Sequence, residues 1–434
     1  MNLTNKELNL IASSKKVWNY YNNDFVTDYP TKAVQLPLGR TIKDTLVSDN
    51  WISKTVNRFA SATVGKYSSI ETEDAKLAEY IALWHEAIDF ESKITSIARY
   101  QGLFGYAVVK LVFTFPRDAD GGIMVSTPEE FLQGIDLAVF GSDKAIVRYD
   151  EYGKQDSVLI QVGKTLEVFY SDRIERYEIT SGGLYKLIST ESTPIGPLVF
   201  VVNNLETGVN SNSDIHHIVT LQEALNDALT SLRLVTHYHG FPIYTATGVT
   251  PAYDEDGKAK PMIMGAGMTL QTEDPDAKFG RVEMPQITPL KESIEELTKE
   301  IAVATNSLSL LTGQAPSGVA LAYLQSDFQA AVTEKQMKIS NFIKKLHHTI
   351  FKLIDYTYTT SFSKSGFKVF VAGYNPILAD LNFQQAKELY SLGSITRKTL
   401  LDAADVVENT QAELDALATE GAASPDGLTA LLRG

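Results

Sequence analysis

From Leu321 to Leu353 apolar residues recur at helical spacing: Leu321, Leu324, Phe328, Val332, Ile339, Phe342, Leu346, Ile350 and Leu353. The period is interrupted once, at Lys335. This spacing predicts one helix with a single apolar face, running from about Gly318 to about Thr359. At 1.5 Å per residue such a rod is about 60 Å long, longer than a small domain is wide. No ordinary enzyme core needs it; a subunit of a large ring or tube does. A second stripe precedes it: Leu290, Ile294, Leu297, Ile301, Ala304, Leu308 and Leu311, a helix over 287–311. Between the two lies Gly313-Gln314-Ala315-Pro316-Ser317-Gly318. Two glycines, a proline and a serine stop one helix and start the next, with Ser317 placed to cap the second.

The rest of the chain divides by pattern. Thr4 and Glu7 form a capping box, predicting a helix to about Asn22 with Leu8, Ile11, Val17 and Tyr20 inside. Further helices are expected over Thr41–Ala62, Asp74–Ala87 and Phe90–Phe104. The run from Tyr106 to Phe115 is β-rich with few polar residues and reads as a buried strand. Turn signals at 117–122, 149–154 and 180–183 then separate strands near 158–162, 166–170, 174–179 and 199–202. This is an α+β region, helices first and an antiparallel sheet after. A long helix follows from Ser213 to His239, Asp214 in its first turn complementing the dipole. Residues 241–286 form a small unit of short strands and turns, and Thr288-Pro289 opens the next helix. Two helices thus bracket a β-rich insert. After the rod come a strand at 367–372 and shorter helices, then a loosely held tail over 422–434.

Composition narrows the function. The chain has 434 residues with a net charge of −14, from 39 basic and 53 acidic side chains. An acidic chain is poorly suited to tight binding of phosphate backbones, which needs clustered Lys and Arg. Cysteine is absent, which excludes disulfides, thiolate metal sites and cysteine catalysis, and suits a reducing cytoplasm. The first residues do not read as a signal peptide, and no run of about 18 apolar residues offers a membrane span.

Catalytic patterns fail one by one. No phosphate-binding glycine loop ends in Lys-Ser or Lys-Thr. His85-Glu86 with Asp89 resembles a zinc-protease helix only until the second histidine is sought. His216-His217, His237/His239 and His347-His348 read as surface or interface histidines. Asp254-Glu255-Asp256 is a hairpin turn rather than a calcium loop. No Gly-x-Ser-x-Gly elbow occurs. No cofactor, metal or catalytic constellation is expected, and a structural or conduit role fits better than an enzyme.

Three stretches, in order, carry a family resemblance. Ala315-Pro-Ser-Gly-Val-Ala-Leu with Tyr323-Leu324, followed by a long helix bearing Glu334-Lys-Gln336, resembles the tunnel loop and following helix of tailed-bacteriophage portal proteins of the SPP1-like family. Ser213-Asp-Ile and Leu221-Gln-Glu-Ala-Leu-Asn226 resemble the portal stem helix. Asn375-Pro376, Leu389 to Leu400 and Glu413-Leu414 resemble the C-terminal portal segment. The match covers about half the chain, from Ser211 to Leu414. Two departures stand out: the chain is short for the family, and the tunnel segment has no basic residue.

The resemblance implies an elongated portal-type subunit. Its parts would be a helix-plus-sheet wing over 1–212, rejoined by 362–378, and a stem of 213–240 and 287–311. A clip at 241–286, a tunnel loop at 312–319, a long helix at 320–361 and a short crown at 379–434 complete it. It implies a homo-oligomeric ring, usually of twelve, at one capsid vertex. The partners would be the major capsid protein, the terminase large subunit, neck or adaptor proteins, and double-stranded DNA in the channel. The location would be the virion, and the host cytoplasm during assembly. Gly313, Gln314, Ala315, Pro316, Ser317 and Gly318 would face DNA. Glu292, Glu295, Glu296 and Glu300, off the apolar stripe, would line an acidic channel that lets DNA slide. Met262, Ile263, Met264, Met268 and Leu270 are too few to build a private core, so they would pack between subunits. The rival readings are another ring-forming neck or adaptor protein, which would lack the helix–insert–helix–loop–rod order, and a head-maturation enzyme, which would need a converging catalytic site.

Overall fold

The computed structural model describes residues 3–24, 46–65, 68–115, 125–180, 185–193, 196–204, 212–240, 244–247, 256, 276–281, 286–307, 318–358, 360–373, 383, 386–392, 394, 396, 399–400 and 414. The chain divides into two compact units, one of Met1–Asn22, Trp51–Val219 and Ala302–Gly434, the other of Asn23–Asn50 and Thr220–Ile301.

The larger unit is α+β. Its helices are α1 (Asn5–Tyr21), α2 (Trp51–Val64), α3 (Ala75–Ile88), α4 (Phe90–Phe104), α5 (Pro128–Gln133) and the rod α8 (Gly318–Tyr358, 41 residues). Its strands are β1 (Ser69–Thr72), β2 (Tyr106–Phe113), β3 (Ile135–Phe140), β4 (Ala145–Tyr149), β5 (Gln155–Val162), β6 (Thr165–Phe169), β7 (Arg173–Ile179), β8 (Tyr185–Ser192), β9 (Val199–Asn203) and β12 (Phe367–Phe370). β3-β2-β9 and the meander β4-β5-β6-β7-β8 are separate antiparallel sheets.

The strand β2 shows why its sequence is almost unbroken in apolar residues. Ala107, Val109 and Leu111 enter one core with α3, α4 and α8, while Tyr106 and Val108 enter a second with Val158, Ile160 and Phe169. A strand covered on both faces has no solvent side to mark with polar residues. The meander is likewise two-sided: Leu159, Leu166 and Val168 turn outward onto Leu3 and Ile11. The capping box forms as expected, and Glu7 adds a fork to Arg148, Nε to Oε1 at 2.7 Å. Leu8, expected inside, is 49% exposed; Ile11 packs on the meander as expected, joined by Leu3.

After the rod the chain returns: β12 pairs antiparallel with β1, Phe370 opposite Ser69. A short 3-10 turn at Phe362–Lys364 precedes it. Asp355 organises that turn, accepting from Thr360 Oγ1 at 2.5 Å and from the N–H groups of Phe362 and Ser363 at 2.8 Å.

The smaller unit contains most of α6 (Val219–Gly240) and α7 (Thr288–Ala304), with the antiparallel ribbon of β10 (Tyr244–Thr247) and β11 (Lys278–Arg281) between them in sequence. Residues 46–50 belong to it and correct an expectation. The helix foreseen from Thr41 begins at Trp51. Val47 N–H donates to Thr230 Oγ1 at 3.2 Å, and the Asp49 carbonyl accepts from Gln222 Nε2 at 2.7 Å. Backbone groups committed to α6 side chains are not available to a helix of their own.

Candidate frame of the channel loop

Residues 305–317 separate α7 from α8 in sequence, and the two ends of that stretch define the site. Gly318 is the first residue of α8. Gly313, Gln314, Ala315, Pro316 and Ser317 lie outside the described residues, as do Met262, Ile263, Met264, Met268 and Leu270. Glu292, Glu295, Glu296 and Glu300 sit exposed on α7.

The first end corrects the helix length. The apolar period over 287–311 predicts a helix to Leu311, whereas α7 ends at Ala304. The Ser307 N–H reaches back to the Ala302 carbonyl at 2.6 Å and the Asn306 N–H to that of Val303 at 3.1 Å. Asn306 has φ of 51°. These are the paired bonds and left-handed residue of a Schellman stop, with Asn where Gly is commoner. Asparagine tolerates that conformation because its short polar side chain bonds locally. The apolar period therefore outruns the helix that carries it.

Arg58 on α2 holds this stop. Its Nη1 donates to the Asn306 carbonyl at 3.0 Å and to Ser307 Oγ at 2.6 Å. Its guanidinium lies 4.1 Å from the centre of the Phe328 ring, on α8. A cation at a helix C-terminus meets the negative end of the dipole, and Arg supplies a planar face as well as donors. Phe328 also meets Phe59, centroids 4.7 Å apart.

On Phe59 sits the second charge. The Lys335 ammonium lies 4.4 Å from that ring and pairs with Asp214. Both side chains are buried, at 2% and 1% exposure. Lys335 is the residue that breaks the apolar stripe of α8. Asp214 was expected in the first turn of the stem helix; α6 instead begins at Val219, with 214–218 a turn. The carboxylate faces inward. Asn204 Nδ2 donates to its Oδ1 at 2.9 Å, and its N–H donates to the Gly102 carbonyl at 2.8 Å. A Cβ on Gly102 would lie 2.5 Å from Asp214 Oδ2, so this position must be glycine for the carboxylate to fit. Burial drives the Lys335 pKa down, opposed by the charge of Asp214 and its hydrogen bond. The sequence pointed to Lys335 and Asp214 without joining them, and held no signal for Arg58.

Arg58, Phe328, Phe59, Lys335 and Asp214 thus form one continuous stack. It fastens the exit of α7, the third turn of α8 and the turn before α6 to α2. It contains no nucleophile paired with a base; its chemistry is positional.

A second buried polar pair lies farther along the rod. His347, expected at a surface or interface, has no exposure. Its Nδ1 lies 2.8 Å from the Ile343 carbonyl and must donate to it, leaving Nε2 to accept from His85 Nε2 at 2.9 Å. His85 stacks on Phe90, centroids 3.9 Å apart. Burial lowers His85 to about 3, with His347 adding to the shift, and lowers His347 to about 4 against the pull of the Ile343 carbonyl. Both rings are held neutral.

The chain matches the family described as "Phage portal protein, SPP1 Gp6-like" over residues 2–425. No curated protein matches it. Among solved structures, a chain of "Neck of empty GTA particle computed with C6 symmetry" is 12% identical, with 86% of this chain and 96% of that one covered at a TM-score of 0.49. A chain of "Virion of native gene transfer agent (GTA) particle" is 11% identical, covering 82% and 90% at 0.49. The family match spans nearly every residue, and by it the chain belongs to the SPP1 Gp6-like phage portal proteins.

Proposed function

We propose that this portal protein assembles as a ring, of twelve subunits on the family plan, at one vertex of the capsid, and that its lumen is the conduit for packaging and ejecting double-stranded DNA. The observation that carries the reading is the order helix, β ribbon, helix, 41-residue helix, within a chain matched along 2–425. In this reading α6 and α7 are the stem, 241–286 the clip and 312–319 the tunnel loop. Residues 1–212, rejoined by 362–378, supply the wing, 320–361 the long helix, and 379–434 a short crown. Gln314 and Ser317 offer DNA neutral hydrogen bonds and no charge, and Glu292, Glu295, Glu296 and Glu300 line the passage. Like charges on wall and phosphate oppose adhesion, which suits sliding. Met262, Ile263, Met264, Met268 and Leu270 pack against neighbouring subunits. The partners are the major capsid protein, the terminase large subunit during packaging, and neck or adaptor proteins afterwards. The role is structural rather than catalytic, exercised in the virion and, during assembly, in the host cytoplasm.

Electron microscopy of the purified chain tests the ring: annular particles with a central hole are expected, and a uniformly monomeric sample sinks the reading. A packaging assay on assembled rings tests the loop. Gly318→Trp and Gln314→Lys should each leave assembly intact and cut DNA filling severalfold. Normal filling by both would remove the loop from the DNA path.

A further inference from the structure

The exposed side of the rod has a charge pattern that the rest of the chain does not explain. Between Glu334 and Asp355, α8 carries no carboxylate. Lys344, Lys345, His348 and Lys352 are exposed, and Lys338 is half-buried. None of the four lysines has an ion-pair partner in its own chain among the described residues. The opposite side of the same helix is the core face, with Ile339, Ile343, Leu346 and Ile350 fully buried.

A face of opposite sign stands on α3. Leu77, Ile81, Trp84 and Ile88 are its buried side. Its exposed side carries Glu79 and Glu86 with a single lysine, Lys76, and the approach to it carries exposed Glu73 and Glu71, the latter opposite Lys368 across the β1–β12 pair, so the face is net acidic. None of these carboxylates has an ion-pair partner in its own chain among the described residues. Leu83, between the two glutamates, is 39% exposed. Ala75, Ala78 and Ala82 are exposed beside it, so a second helix can approach closely.

We propose that the basic face of α8 docks on the acidic face of α3 of a neighbouring copy. The spacing supports it. Glu79 and Glu86 are seven residues apart, as are Lys345 and Lys352, a separation of roughly 10 Å along either helix. Two ion pairs can therefore close together, whichever way the helices run. Leu83 then rests on the methylene stems of the lysines, which cover apolar surface while their heads stay in water. The two faces differ, so the contact is heterologous, the type that propagates around a ring. Net charge favours a second copy over nucleic acid as the occupant. At −14 the chain repels a polyanion at long range, whereas a neighbouring copy brings the acidic surface that these lysines lack. The contact rests on the ring reading and goes beyond it by naming the two faces.

Charge reversal in the full chain is the test, with thermal melts confirming that each variant folds. Glu79→Lys/Glu86→Lys makes both faces basic, and Lys345→Glu/Lys352→Glu makes both acidic. Each variant alone should need roughly tenfold or more wild-type concentration to assemble, by mass photometry. An equimolar mixture should restore assembly, because each variant then meets its complement. Raising salt to about 1 M should weaken wild-type assembly. Variants that melt normally and assemble as the wild type does overturn the proposal. So does a mixture that fails to rescue. Unchanged assembly with lost DNA retention in Lys345→Glu/Lys352→Glu would assign the basic face to nucleic acid instead. A wild-type chain that never forms rings sinks the ring reading itself, a result separate from those of the variants.

Discussion

α7 and α8 carry apolar stripes of the same period, and their own chain treats them differently. Along α8, Ile339, Ile343, Leu346, Ile350 and Ile354 have no exposure at all. Along α7, Leu290, Ile294 and Leu297 are only half-buried, and full burial begins at Ile301. Complete burial of a Leu or Ile contributes about 1.5–3 kcal/mol, so α7 leaves a good part of that unrealised within one subunit. Periodicity alone cannot tell the two cases apart. It states that a helix has something to bury, not whether the same chain covers it.

Acid should break the covered helix first and most strongly. His85 and His347 lie at about 3 and about 4 in the fold, against an ordinary 6.5. The unfolded chain therefore takes up protons that the folded chain refuses. Their contribution is intact above pH 6.5 and is lost as pH falls from there toward 4, with a slope approaching two protons. Asp355 adds to acid sensitivity lower down. Burial raises its pKa, but hydrogen bonds from Ser363, Thr360 and Phe362 outweigh that and leave it lowered. Urea midpoints measured across pH 4 to 7 should steepen in the wild type and flatten in His85→Phe/His347→Leu. Equal slopes would show that the pair is not what titrates.

The Lys335–Asp214 pair comes next. Lys335→Met strands a buried carboxylate and should cost about 3–5 kcal/mol. Lys335→Met with Asp214→Asn removes both charges and should recover much of that loss. A double variant no more stable than the single would mean that shape, not charge, sets the cost. Truncating the two stripes then sharpens the contrast. Ile343→Ala should cost about 2–5 kcal/mol in monomer unfolding. Ile294→Ala should cost under about 1.5 kcal/mol there and show its main effect in ring assembly. Equal losses in the monomer would erase the distinction between the helices.

How much of this was legible depended on whether the signal was local. The rod from Gly318, the capping box at Thr4 and Glu7, and the strand at 106–113 follow from spacing and propensity, which act over a few residues. Misplaced ends share another cause. α2 starts late because Val47 and Asp49 bond to α6, and α6 itself starts late because Asp214 is taken by Lys335. Each competing partner is more than a hundred residues away in sequence. The loop frame was half visible for the same reason. The break at Lys335 is plain in the pattern, but its partner is not, and nothing near Arg58 hints that it closes the exit of α7. The short strands β6, β9 and β12 were legible from runs of β-branched and aromatic residues, whereas β1, β3, β4 and β8 were not foreseen.

The smallest expected effect tests that exit directly. Asn306 holds φ of 51° while its carbonyl accepts from Arg58 and its N–H closes onto Val303. All three features belong to the backbone, so glycine can reproduce them and alanine must reproduce them against its Cβ. Asn306→Ala should cost about 1–2 kcal/mol, the usual penalty for a left-handed residue with a side chain. Asn306→Gly should lie within about 0.5 kcal/mol of the wild type, trading strain for chain entropy. If urea unfolding shows the opposite order, the asparagine side chain matters more than the backbone turn. With the order as expected, packaging by Asn306→Ala rings tells whether the loop needs its root held. Arg58 and Phe328 remain in place, so lost filling would come from the path of the chain into residue 308 rather than from a missing contact.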